Sequence, residues 1–484
     1  MTAPADAPPS LPFHLTGNYA PVMQEVTAHD LRVQGVIPEA LRGWYVRNGP
    51  NPKRGTSPHW FLGDGMLHGV ALRDGKALWY RNRWVRTRAF VEDAPARDEA
   101  GVRDLTVGLA NTHVIGHAGR VLALVETSLP TEVSCDLETL GNYDFGGRLT
   151  TGMTAHPKIC PRTGEMHFFA YGYMPPFLTY HRADAAGRLV QSEQIEVPAP
   201  TMIHDFAITE RHVLFMDLPV IFDLELALAG KLPYRWSDDH GARIGVMPRG
   251  GRNADVRWLE VAPCYVFHPL NAFEAEEHWE PQDVAGLGPR RARRPPEQTE
   301  PQDVAGLGPR RPRRPEIVLD VVRYPELWRP GVSTFPEAQL HRWRIDLQAG
   351  RVHESPLDDR AIEFPRCDER RVGLPNRFGY VVHTGRGAAA NTGTSLVKYD
   401  LRTGGAFAHD FGPGRVPGEA VMVPASPGAA EDEGWLLAFV YDAARDGSDL
   451  VILDAADVTA KPVASVPLPQ RVPFGFHGSW LPES

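Results

Sequence analysis

Cysteine is scarce in this chain, with four among 484 residues, at positions 135, 160, 264 and 367, and neither a CxxC spacing nor a close pair. That excludes a disulfide scaffold and a thiolate zinc site, and it fits a reducing, cytoplasmic setting. Long apolar runs are also missing: nothing approaches the roughly 18 uninterrupted apolar residues of a spanning helix. The opening MTAPADAPPSLPFHLTG has neither the basic start nor the apolar centre of a secretory signal. Positive charge is in deficit, 51 basic against 60 acidic residues for a net −9, so there is no electrostatic footing for nucleic acid. Only six of the basic residues are lysine, which reads as codon bias rather than chemistry.

Turns and short apolar runs are plentiful. The chain holds 46 glycines and 45 prolines, with 42% hydrophobic residues, enough for a large core. Segments such as ALRDGKALWY, HVIGHAGRVLALVE, CPRTGEMHFFAYGY and YDAARDGSDLVILDA each set a glycine at a turn between two alternating runs, so they read as successive β-hairpins. Helical periodicity is rare, and FDLELALAGK (222–231) is the best short helix. Hairpins from about residue 65 to 480 predict a large all-β protein, and a closed propeller buries that many strands with few exposed edges. No WD or kelch repeat reveals a blade count.

One segment breaks the pattern. EPQDVAGLGPRR recurs identically at 280–291 and 300–311, and residues 281–315 carry eight arginines against four acids. This stretch is expected to be a disordered Arg/Pro/Gly-rich insertion; the functional alternative is a basic arm for an anionic partner or lipid.

Four of the 19 histidines share a setting: His156 in MTAHPKI, His204 in TMIHDFAIT, His268 in YVFHPLNAFE and His477 in PFGFHGSW. Each stands within or beside a strand-like stretch next to small residues, Pro or Asp. Their separations of 48, 64 and 209 residues match no local metal motif. In a propeller, inner strands converge on an axis, so distant ligands can meet there.

Together with TGNYAPV (16–22), GWYVRNGPNP (43–52), HWFLGDGMLHGV (59–70), ANTHV (110–114), EFPRCDERR (363–371), PGEAVMVP (417–424) and RVPFGFHGSW (471–480), these segments make the chain resemble the carotenoid cleavage oxygenase family, which includes stilbene-cleaving dioxygenases. The resemblance covers nearly the whole chain and skips 281–315. It implies one seven-bladed β-propeller domain over 1–484, with loops and short helices capping one face and a substrate tunnel leading to an iron centre. It also implies His156, His204, His268 and His477 as ligands of one Fe(2+), with O2 as co-substrate. The family's three supporting glutamates map onto Glu126, Glu363 and Glu419. A carboxylate on Nδ1–H fixes the tautomer that binds through Nε2 and raises its basicity. Thr112, in ANTHV, takes the family position that approaches the metal's open side; the alternative is a threonine bonding its own strand. His113 and His117 flank a turn and are expected to face solvent, while Asp205, Asp368 and Glu369 read as structural.

The activity implied is oxidative cleavage of a C=C bond into two carbonyl products, without a protein nucleophile. Imidazoles also take zinc, copper and nickel, so iron rests on the resemblance. Stilbene-cleaving members carry a lysine immediately before the first glutamate; here that residue is Val125 and no basic residue flanks it, which favours an apolar carotenoid or apocarotenoid over a hydroxystilbene. Aromatics of GYMPPFLTY (172–180) with Phe267, Phe273, Phe474 and Phe476 are candidate tunnel lining or propeller core. A membrane-dissolved substrate suggests peripheral contact through LPVIFDLELALAGKLPYRW (218–236). The rival classes are a metal-dependent lactonase propeller, which would use carboxylate ligands, and a non-catalytic carotenoid-binding propeller.

Overall fold

The computed structural model describes residues 11–99, 101–275, 316–332, 336–385 and 393–483. The insertion expected at 281–315 lies outside the described residues. Seven antiparallel sheets of four to six strands follow one another along the chain as the blades of a propeller, and a two-stranded ribbon, Val220–Phe222 with Tyr234–Trp236, stands apart from them. The hairpin turns form where the sequence marks them. Asp74–Gly75 and Ala118–Gly119 both take left-handed φ values, as tight two-residue β-turns require.

Each blade sends one edge strand to the axis, and several of these inner strands touch the next. Gly478–Pro482 of the first blade meets His113–His117 of the second, and Ala207–Ile208 of the fourth meets Tyr265–Ala275 of the fifth. That fifth-blade strand in turn meets Ile362–Arg366 of the sixth. Inner and middle strands are buried on both faces, whereas outer strands such as Arg351–Pro356 alternate toward solvent. The core therefore lies between blades. Phe145 stacks on Phe168 at 5.4 Å between the second and third, and Tyr45 meets Phe439 at 4.8 Å between the first and seventh. Each such ring, fully buried, contributes about 1.5–3 kcal/mol.

The ring closes by pairing the chain's two ends. Gly478–Pro482 lies antiparallel to Gly43–Pro50, with Tyr45 opposite Trp480, while Gln34–Gly35 adds to Ala464–Pro467 in the seventh blade. The best helix candidate, 222–231, shortens to Leu224–Leu228, capped by the Asp223 carboxylate on the Leu226 amide at 3.0 Å, and a second short helix spans Arg88–Glu92.

Candidate metal centre and its cavity

His156 and His204 stand just before the inner strands of the third and fourth blades, His268 within that of the fifth, and His477 just before that of the first. Residues 209 positions apart thereby offer ring nitrogens within 4.8 Å of one another. Nε2 of His204 is 3.0 Å from Nε2 of His156 and 3.3 Å from Nε2 of His268. Cis nitrogens bound at about 2.1 Å to one ion would be ~3 Å apart, so the spacing suits a common cation.

Three carboxylates hold the outward ring faces. Glu363 Oε2 accepts from His268 Nδ1 at 2.7 Å, Glu419 Oε1 from His477 Nδ1 at 2.8 Å, and Glu126 Oε1 lies against His204 Nδ1. With the proton on Nδ1, each Nε2 presents a lone pair inward. Lone pairs 3.0–3.3 Å apart repel unless a cation lies between them, so this donor set fits a divalent ion. Burial, reinforced by the neighbouring imidazoles, pushes His156 and His477 well below the ordinary histidine range. Burial presses His268 the same way, but the Glu363 charge and hydrogen bond outweigh it and raise its pKa.

His156 has no glutamate. Its Nδ1 is 3.9 Å from Asp205, whose carboxylate pairs with Lys158 at 2.8 Å. Asp205 therefore faces away from the cluster's centre, as read from the sequence, and lies behind a ligand candidate. Asp368 caps the turn Glu369–Arg371 and pairs with Arg370, a structural role.

Glu363 is aimed by an irregular backbone. The pairing of its strand shifts register between Glu363 and Arg366, and Phe364 takes φ +55, a conformation rare for an aromatic residue. The bulge turns the Phe364 amide onto Glu363 Oε2 at 2.5 Å and sets its ring over His268 at 5.9 Å.

His113 corrects an expectation. It is buried rather than solvent-facing: Nδ1 bonds the Ala155 carbonyl at 2.9 Å, the ring centre is 5.3 Å from that of His477, and burial pushes its pKa down to about 3. The turn at Ala118–Gly119 begins five residues on, and His113 itself opens an inner strand covered on both sides. His117 is half-buried, with Nε2 on the Gly164 carbonyl at 3.0 Å.

The cluster opens into a cavity of about 1880 Å³ whose wall is mostly apolar. Thr112 lines it, with Oγ1 donating to Asn111 Oδ1 at 3.0 Å. Val125, Tyr173, Phe267, Phe474 and Phe476 line it too. Phe273 does not; it is packed with Ala275 and Val318 in the fifth blade. Two phenols that sequence reading missed also face the cavity. Tyr171 donates to Glu126 Oε2 at 2.5 Å and Tyr324 to Glu363 Oε1 at 2.9 Å. Burial and the adjacent carboxylates hold both well above the ordinary phenol range, so they stay protonated donors. They lie 45 and 39 residues from their partners on other blades, and no local signal links them.

The retinal pigment epithelial membrane protein family model matches residues 19–482. A carotenoid cleavage oxygenase of Mycobacterium tuberculosis is 39% identical over 524 aligned positions, covering 97% of each protein. Among solved structures, the lignostilbene dioxygenase of Pseudomonas brassicacearum superposes with TM-score 0.82 at 29% identity, covering 98% of this chain and all of that one. Cobalt-substituted apocarotenoid oxygenase of Synechocystis gives TM-score 0.78 at 28% identity, over 96% of this chain and 98% of that one.

Proposed function

The chain belongs to the retinal pigment epithelial membrane protein family of carotenoid cleavage oxygenases, and from that premise we propose that it splits a C=C bond of a carotenoid or apocarotenoid at an iron(II) held by His156, His204, His268 and His477. One O2 is consumed, and each of its atoms ends as the carbonyl oxygen of one fragment. The observation that carries this reading is the convergence of four imidazoles, three backed by glutamates, on the wall of a large apolar cavity.

Bound there, iron(II) supplies the activation of O2 that a closed-shell polyene otherwise resists. The chain's own residues do the rest. Glu126, Glu363 and Glu419 keep the Nδ1 protons in place and offset the ion's charge. The cavity's aromatic wall excludes water and fixes which double bond reaches the centre. Thr112, on the cavity side of the cluster, narrows the approach.

Val125 lines the cavity where stilbene-cleaving members carry a lysine, which supports a polyene as substrate. The cavity rim supports collection from a lipid surface. Phe13, Leu62, Val102, Met174 and Val332 are exposed apolar residues lining the cavity, and Leu224 and Leu228 project from the helix of the adjoining ribbon segment. Among the described residues no helix is long and apolar enough to cross a membrane, so the contact proposed is shallow. Leu228→Glu should weaken flotation with liposomes; unchanged flotation would sink that part.

The reading is tested by loading the protein with iron(II) anaerobically, admitting O2 over carotenes, apocarotenals and resveratrol, and weighing the products by mass spectrometry. A matched pair of carbonyl fragments from a polyene is expected, and it should vanish in His268→Ala together with bound iron. Hydroxybenzaldehydes from resveratrol alone would transfer the assignment to stilbenes. No product from protein verified to contain iron would overturn it.

A further inference from the structure

Two arginines line a cavity whose wall is otherwise largely apolar. Arg97 and Arg103 form an antiparallel β-bridge, which sets the two residues side by side at the end of the cavity near Tyr173. Cross-bridge neighbours have Cβ atoms about 5 Å apart, and like charges there destabilise each other. Among the described residues neither guanidinium forms an ion pair. Arg97 lies over the Tyr173 ring at 4.5 Å and donates through Nη1 to Tyr173 and to the Gly101 carbonyl at 2.9 Å. Arg103 donates through Nε to the Thr127 carbonyl at 2.5 Å and through Nη2 to Thr127 Oγ1 at 2.8 Å. Those bonds anchor the guanidinium to the residue that follows Glu126, two positions from Val125. They leave Arg103 Nη1, and Nε and Nη2 of Arg97, for another acceptor.

A polyene hydrocarbon offers no such acceptor. Two adjacent guanidiniums with spare donors match a carboxylate, which takes parallel N–H bonds and supplies the missing negative charge. We propose that Arg97 and Arg103 bind the carboxylate of an acid-ended polyene, so that the preferred substrate is an apocarotenoic acid held by one end while its chain passes the four histidines. This rests on the oxygenase reading above and narrows it. Burial and then the neighbouring Arg97 charge press Arg103 below the ordinary arginine range, against smaller upward pulls from Tyr173, Tyr234 and Asp104. The Tyr173 ring beneath Arg97 stacks on Phe222 at 4.8 Å, so the charged pair sits at the head of an aromatic wall. An end held there also fixes how far along the chain cleavage falls.

The test compares an apocarotenoic acid with its methyl ester, which keeps the polyene and deletes the charge. Binding to the iron-loaded protein, held anaerobic so that no turnover occurs, is followed by quenching of tryptophan fluorescence, since Trp60 and Trp328 line the cavity. The acid should bind at least about tenfold more tightly than the ester, equivalent to ~1.4 kcal/mol. Arg97→Gln should remove most of that preference and Arg97→Lys should restore part of it; Arg103→Lys, which keeps a donor toward Thr127, should weaken the acid more than the ester. With iron and O2, Arg97→Gln should raise KM for the acid more than kcat falls and should spread the products over more than one double bond. Equal binding of acid and ester by the native protein, or equal losses for both in Arg97→Gln, would overturn the inference while leaving the oxygenase reading intact. A preference for a hydroxystilbene over both polyenes, lost in Arg97→Gln, would reassign the pair to a phenolate and overturn it too. Failure to cleave any polyene despite tight binding of the acid would count against the oxygenase reading and not against the arginine pair.

Discussion

Tyr324 donates its hydroxyl hydrogen to Glu363 Oε1 at 2.9 Å, while the other oxygen of that carboxylate receives Nδ1–H of His268 at 2.7 Å. The phenol thus fixes a carboxylate that fixes an imidazole. Tyr324→Phe keeps the ring and its packing but releases one carboxylate oxygen. Cobalt(II) affinity, read by visible absorbance titration, should fall by about tenfold, the lower end of losses for groups behind a metal ligand. Unchanged affinity would show that Glu363 holds its place without the phenol.

Glu419 carries more than its imidazole. It accepts from His477 Nδ1 at 2.8 Å and the Gly478 amide at 3.0 Å, and it lies 3.3 Å from the Arg366 guanidinium. Glu419→Gln preserves shape while removing the charge. Metal affinity should drop about 10–100-fold, and the melting temperature of the metal-loaded protein should fall as bound-state stabilisation is lost. Native-like affinity by calorimetry would refute the role given to this carboxylate.

Val125→Lys places an ammonium on the cavity wall beside Glu126. Hydroxystilbene turnover should rise by about tenfold, the effect of one charge-assisted hydrogen bond, while turnover of a carotene declines because the ammonium must be desolvated. If neither rate moves, the side chain at 125 does not meet the substrate.

Acid should destabilise the third blade. His167 and His181 are buried, and burial pushes their pKa values to about 3 and about 4. Above the unfolded value near 6.5 neither state binds these protons. Below it the unfolded chain takes them up and the folded chain does not, so stability falls as pH drops from 6.5 toward the folded values. Each ring contributes about 1.4 kcal/mol per pH unit in that window. Urea midpoints measured between pH 7 and pH 5 should decline, and His167→Gln should reduce the slope by about one proton. A slope identical to the native protein's would mean that His167 is protonated in the fold.

Much of the architecture was legible because hairpin chemistry is local. Asp74–Gly75 and Ala118–Gly119 announce their turns in two letters, and alternation does the rest. The four histidines were legible through the segments that carry them, and the structure brings all four together. What stayed hidden is whatever depends on two blades at once. The burial of His113 follows from its inner strand being covered by neighbours, which no window of residues around it records. The Tyr171 and Tyr324 bonds span blades, and the Arg97–Arg103 bridge forms in a loop with no strand signature. Phe273 and Phe267 read alike in YVFHPLNAF, yet Phe267 packs in the core and also reaches the cavity wall, while Phe273 packs with Ala275 and Val318; two register shifts, at Pro269 and before Asn271, lie between them.

The centre draws one side chain from every blade: His477 from the first, Glu126 from the second, His156, His204 and His268 from the next three, and Glu363 and Glu419 from the last two. A wheel whose spokes all end at one hub has no spoke that can be lost quietly. The last strand, Gly478–Pro482, joins Gly43–Pro50 beside His477, so the set is complete only when the ring has joined. An ion bound there would favour the joined ring over any opened form, because only the joined ring presents the whole set. A slip of alignment in any blade, however far from the cavity, would then be paid at the hub as a weakened grip on the proposed ion.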